Sequence, residues 1–340
     1  MWRLRTGTIF SIVPYRLDNN ARFMAQPMIN VLNFDMNLDG ASTGDPTSIG
    51  TLFRYIDLAK ELSTVNRKLY RQCRRYAIAG IQVIAEEGSS VSFFTANDNW
   101  ITKNAVKKAF HSWMRMNQKV LKETPSIKPT WHDFKVFLDA SHRSNNSHDL
   151  RAIPDFGYAP FSKGEWVYSQ FVYPQGPTHD VAKESYLHIH GQHINIAGGA
   201  LGIFDPSQVL STGIIEAYKE SRATVQSEDP EMTSVTDQNP YGSLFDDGET
   251  NEDITENLSD FNDAAPYLHN VMPGDANHPA LYNAAEIRVQ SSETVNMTNG
   301  FVAPCGLIKV ATNQESGIIR LKVFLVPANN AYGIATEAII

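Results

Sequence analysis

The chain has 340 residues, of which 42% are apolar and 19% charged, so it can fill a core and is not disordered as a whole. No run reaches membrane-spanning length. Two cysteines, Cys73 and Cys305, make neither a disulfide framework nor a zinc pattern, and both are expected to pack as small apolar residues. The net charge of −8 hides a division: 21 of the 29 Lys and Arg precede residue 152, against 13 of the 37 Asp and Glu. Separation of that kind predicts one basic and one acidic surface.

The first residues, MWRLRTGTIFSIVPYR, lack the long apolar core of a signal peptide and read as an ordinary strand over Thr6 to Val13. A second strand is expected over Arg22 to Asn37, with Val31, Leu32, Phe34, Met36 and Leu38 facing a core. After a loop by composition, Gly40 to Gly50, the period changes. Leu52, Ile56, Ala59, Leu62, Val65, Leu69 and Cys73 recur every three or four residues, which predicts an amphipathic helix over Thr51 to Arg75. A hairpin is expected from Tyr76 to Ala85 and Ser89 to Thr95, across Glu86-Glu87-Gly88. Thr102 can cap a second helix to Glu123, packed through Val106, Phe110, Trp113, Met116 and Val120.

Further strands are expected at Thr130 to Asp139, Glu165 to Tyr173, Ser185 to Ile196 and Ala285 to Met297. Residues 226–277 are rich in Asp, Glu, Ser, Thr and Asn and read as a long acidic loop. The clearest stretch is FVAPCGLIKVATNQESGIIRLKVFLVP, residues 301–327. It reads as a hairpin in which Ile319, Leu321, Val323 and Leu325 enter the core while Arg320 and Lys322 stay outside. About ten strands and two long helices without strand–helix alternation predict an all-β fold: an antiparallel sandwich with two helices in its connections.

The chemistry-bearing patterns are few. His188 and His190 share a strand face in an H-x-H that resembles the metal motif of cupins, with His193 nearby, but Gln192-His193 stands where that family needs Glu. Asp246-Asp247-Gly248-Glu249 fails as a calcium loop, because Ser243, Phe245 and Ile254 occupy ligand positions. No P-loop, G-x-S-x-G or H-E-x-x-H occurs. Arg67, Arg71 and Arg74 fall on one face of the expected helix, beside Lys68 and Arg75. Such a stripe suits phosphate neutralisation, with Arg3, Arg5, Arg16 and Arg22 as further contributors.

Six stretches resemble capsid proteins of small circular Rep-encoding single-stranded DNA (CRESS-DNA) viruses. They are TLFRYIDLAKELSTVNRKLYRQ, NDNWITKNAVKKAFHSWMRMNQKVL, GEWVYSQFVYP, SRATVQSEDP, LFDDGETNEDI and APCGLIKV. The resemblance implies one jelly-roll domain over residues 1–340 that assembles with copies of itself into an icosahedral shell around single-stranded DNA. It implies a structural protein of the virion with no catalytic residue, cofactor or metal, whose further partner is a host receptor and not a membrane. Members often begin with a long Arg-rich arm; here only Arg3 and Arg5 stand there, which shifts genome contact to the stripe and the folded strands. Trp100, Trp113, Trp131, Tyr158, Phe161, Trp166 and Phe245 are the expected subunit-interface anchors. A cupin-type metal enzyme and a carbohydrate-binding sandwich are the alternatives on the same fold class.

Overall fold

A computed structural model describes residues 28–38, 52–123, 131–144, 149–175, 181–195, 209–223, 271–291 and 296–339. Among them are fifteen strands and four helices, arranged in three sheets. The first sheet orders β1 (Val31–Asn37), β14 (Ile318–Leu325), β3 (Arg74–Ile84) and β11 (Asn296–Met297), with β12 (Phe301–Pro304) and β15 (Thr336–Ala338) also on β3. The second orders β10 (Tyr282–Arg288), β4 (Ser90–Thr95), β13 (Leu307–Thr312) and β2 (Leu52–Asp57). Every pair in these two sheets is antiparallel. They face each other as a β-sandwich.

The sandwich core follows from period-two alternation. Along β14, Ile319, Leu321 and Val323 are fully buried and Leu325 nearly so, whereas Arg320 is outward beside Asp35 of β1. They meet Leu32, Phe34 and Met36 of β1, and Ile56, Phe93, Ile308 and Val310 of the second sheet. That second sheet is covered on both faces. Leu52, Ile56, Ile308 and Val310 enter the sandwich, while Phe53, Tyr55, Leu307 and Ala311 enter a second core on the other side. Lys309 reaches into that second layer, where it pairs with Asp139 at 3.3 Å and its amine lies 4.5 Å from the Phe53 ring centroid.

The second core belongs to an insertion. Thr95, the last residue of β4, pairs with Tyr282, the first of β10, so residues 96–281 leave and re-enter at one end of the sheet. Among its described residues, α2 (Trp100–Glu123) and α4 (Ile214–Ala223) pack on each other and on the third sheet. This sheet joins β5 (Phe137–Asp139), β6 (Gln170–Gln175), β7 (Val181–His190), β8 (Ile194–Asn195) and β9 (Val209–Gly213). The pairs β5–β7 and β7–β9 are parallel, so the wholly antiparallel expectation holds for the sandwich and not for the insertion. Two further helices were not expected: α3 (Ala140–Ser144) and α4.

Two sequence expectations are corrected. The helix over 51–75 is instead β2, followed by α1 (Leu58–Asn66), then irregular chain up to β3. A strand buried on both faces is apolar at nearly every position, so its pattern also satisfies helical spacing. Asp57 starts α1 by accepting the Lys60 N–H at 3.0 Å, and Arg67 ends it in the left-handed region with φ 53°. The second correction concerns both hairpins: β3 and β4 lie in different sheets, as do β13 and β14. Each apparent hairpin is a crossing from one sheet to the other.

One close approach fixes the insertion's edge. A Cβ on Gly213, at the end of β9, would sit 2.2 Å from the Gly191 carbonyl oxygen. Gly213→Ala is therefore expected to destabilise the protein by about 1–3 kcal/mol in urea unfolding. An unchanged midpoint would show that the two turns separate freely.

Candidate nucleic-acid interface

Helix α1 has two faces. Leu58, Ala59 and Leu62 are fully buried in the sandwich core, and Lys60, Ser63 and Thr64 line a cleft of about 370 Å³. Arg67 and Lys68, just past the helix end, continue that wall. Trp131 and Lys135 come from the segment before β5, and Lys163, Glu165 and Trp166 from the chain before β6. Five cations and one carboxylate thus surround two indoles. Cations that neutralise phosphate beside aromatic faces that stack bases are the composition of sites for single-stranded nucleic acid.

The cations are not equivalent. Lys60 is held by Asp149 at 2.7 Å. Lys135 is buried, its amine 4.7 Å from the Trp166 ring centroid, and burial holds that amine below its usual pKa. The Lys68 amine donates to the Ala331 carbonyl. Arg67 and Lys163 are exposed. The Trp131 side is also open: this residue is 65% exposed, whereas Lys135 covers one face of Trp166. Two of the neutral polar groups are occupied, since Ser63 donates to the Ala59 carbonyl at 2.6 Å and Thr64 to the Lys60 carbonyl at 3.0 Å. What the cleft offers a ligand is positive charge and one indole face.

Of the described basic residues singled out in the sequence, Arg67 and Lys68 line this cleft. Arg71, Arg74 and Arg75 do not share a helical face with them, because α1 stops at Asn66 and β3 begins at Arg74. Arg71 pairs with Asp133 at 3.2 Å. Arg74 donates to Thr336 at 2.9 Å, with its guanidinium 5.0 Å from the Tyr332 centroid, and so fastens β15. Arg75 bridges Asp98 and Glu337. Arg3, Arg5, Arg16 and Arg22 lie outside the described residues. Lys135 and Lys163 escaped the sequence reading, being isolated cations that only folding sets beside the end of α1.

The expected interface aromatics divide similarly. Trp113 is 7% exposed, buried in the second core against Phe134 and Phe110, so it is a core residue. Trp100 packs on the edge of that core, and Phe161 and Trp166 on the edge of the sandwich core. Trp131 and Tyr158 stand out at 65% and 67% exposure, and Phe245 lies outside the described residues.

The histidine pair is closed. His188 and His190 lie on β7 and are buried at 0% and 1% exposure. The His188 Nδ1 is 2.7 Å from the Ser211 hydroxyl and its Nε2 3.0 Å from the Gln192 carbonyl, so the ring donates to the carbonyl and accepts from the hydroxyl. Burial pushes both imidazoles down to about 4. His193 lies beyond a turn at Gly191, and its Nδ1 accepts the Gly213 N–H at 3.1 Å. Among the described residues, no three His, Cys, Asp or Glu cluster as metal ligands would.

A denser polar cluster joins the sandwich to the insertion. Gln72, 1% exposed, donates to Asp57 at 2.7 Å and accepts the Val136 N–H at 2.6 Å. Glu61 accepts the Ala152 N–H at 2.7 Å. The His142 Nδ1 accepts the Leu138 N–H at 3.1 Å, which leaves its Nε2 proton for Asp149 at 2.9 Å. Tyr55 donates to Asp139 at 2.8 Å. These groups bond one another away from solvent, and their role is to hold two layers together.

Compared with models of protein families, with curated proteins and with solved structures, the chain has no match.

Proposed function

We propose that this chain is a building block of a virus shell, a major capsid protein that assembles with its own copies around a single-stranded DNA genome. The observation that carries this reading is the wiring of the sandwich. Along the sequence β1, β2, β3 and β4 alternate between the two sheets, and so do β12, β13 and β14. Strand orders β1-β14-β3-β11 and β10-β4-β13-β2 support reading the sandwich as a jelly roll, the fold that capsid, lectin and cupin domains share.

Within that class, two features favour a shell. Of the two histidines that a cupin would spend on metal, His188 has both ring nitrogens engaged internally. The cleft beside α1 carries cations, as contact with a nucleic-acid backbone requires and an uncharged sugar does not. Exposed Tyr158, Val167, Val172 and Tyr282 are apolar groups that neighbouring subunits would cover.

The test is assembly. Purified protein should sediment as large particles with closed outlines in negative stain, and the nucleic acid inside should resist nuclease until the shell is opened. DNase, and not RNase, should then digest it. A protein that stays monomeric across concentration, salt and pH overturns the proposal.

A further inference from the structure

We infer that the cleft beside α1 holds one unpaired nucleotide of a single-stranded nucleic acid, its base stacked on Trp131 and its phosphate between Arg67 and Lys163. This deepens the shell proposal by naming the place and the form in which a strand is gripped. The choice of residues follows from what is already committed. Lys60 belongs to Asp149, Lys135 to the face of Trp166, and Lys68 in part to the Ala331 carbonyl. Arg67 and Lys163 are the exposed cations of the cleft. Trp131 is the most exposed of the described tryptophans, so its face is the one on which a base can lie.

Three further points define the ligand. A cleft of about 370 Å³ sits near the small end of ligand sites, roughly 300–1,000 Å³, and admits one nucleotide rather than a paired helix. A base lying on an indole must have left its duplex partner. The hydroxyls of Ser63 and Thr64 are bonded to helix carbonyls, which leaves the exposed Ser162 and Glu165 to meet a base edge. Stacking and charge therefore dominate, and the grip is nearly indifferent to sequence.

Arg67 supplies an independent indication. It occupies the left-handed position that ends α1, with φ 53°, where glycine would sit without steric cost. A long cation at a position that favours glycine is explained when its guanidinium has work in the cleft.

The experiment titrates the full-length subunit, at low protein concentration before assembly, with a labelled ten-nucleotide oligo(dT), reading anisotropy and tryptophan quenching. A ten-base-pair duplex, thymidine monophosphate and inorganic phosphate serve as comparison arms. The oligonucleotide is expected to bind and quench, and the duplex to bind at least about fivefold more weakly. Trp131→Ala should weaken oligonucleotide binding at least about fivefold. Lys163→Gln and Arg67→Gly should each flatten the salt dependence by about one unit of slope. Arg67→Gly should leave the melting temperature unchanged or higher, so weaker binding could not be blamed on unfolding. Equal binding of duplex and single strand, affinity unaffected by Trp131→Ala, or competition by phosphate as strong as by thymidine monophosphate would each overturn the assignment. Shell formation is scored separately on the same preparations. Failure to assemble counts against the capsid reading, and loss of oligonucleotide binding counts against the cleft.

Discussion

Gln72→Ala is expected to destabilise the protein by about 2–5 kcal/mol, the largest effect of any single polar substitution described above. The Gln72 amide is buried, and it satisfies two groups from different layers. Its nitrogen donates to Asp57, which caps α1 in the sandwich, and its oxygen accepts from the backbone of Val136 in the insertion. Truncation leaves both partners without their bond in a site water does not reach, and each such orphan costs roughly 1–3 kcal/mol. Urea unfolding measures the total. Hydrogen exchange locates it: amides of residues 134–138 should lose protection before those of β14. A loss below about 0.5 kcal/mol would mean that water replaces the amide and that the layers do not depend on it.

Glu61→Gln is expected to stabilise the protein at pH 8, by on the order of 2 kcal/mol, and to change little at pH 4. Burial pushes the Glu61 carboxyl up to about 7, against the opposing pull of the Ala152 N–H and Lys60, and pushes Asp57 up to about 6. In both cases the folded state holds its proton more tightly than the unfolded chain does. Their contribution is therefore fully present below the unfolded carboxyl range, about 4, and is lost as pH rises through about 6 to 7. His188 and His190 act in the opposite direction. Lowered to about 4, they contribute stability above about 6.5 that disappears as pH falls toward 4. The two pairs partly cancel in the wild-type profile, so the informative quantity is the difference between variant and wild type at each pH. Glutamine keeps an oxygen for the Ala152 N–H and removes the charge. A variant no more stable than wild type at pH 8 would show that the buried carboxylate is adequately solvated.

The residues of β14 show what was legible in the sequence. Strict alternation in IIRLKVFL put Ile319, Leu321, Val323 and Leu325 inward, and all four are core residues. The same held for Leu32, Phe34 and Met36 on β1, and for the packed face of α2 at Val106 and Trp113. The Thr51 to Arg75 stretch failed because β2 is covered on both sides, and local spacing cannot tell such a strand from a helix turn. With the helix went the basic stripe. The cationic cleft that replaces it draws on three separated segments, two of which carry a lone lysine with no periodic signal.

The amino-acid pattern alone settled which side chains of a strand turn inward, because the pleat repeats every two residues whatever the neighbours are. It did not settle which strand lies beside which. The five residues Asn313 to Gly317 can fold back within one sheet or span the roughly 10 Å to the facing one, since an extended chain of that length reaches about 17 Å. That choice rests on contacts between residues far apart in sequence: β14 lies between β1 and β3, and β13 between β2 and β4. Tertiary structure made it, and with it the position of Trp131, Lys135 and Lys163 around the end of α1.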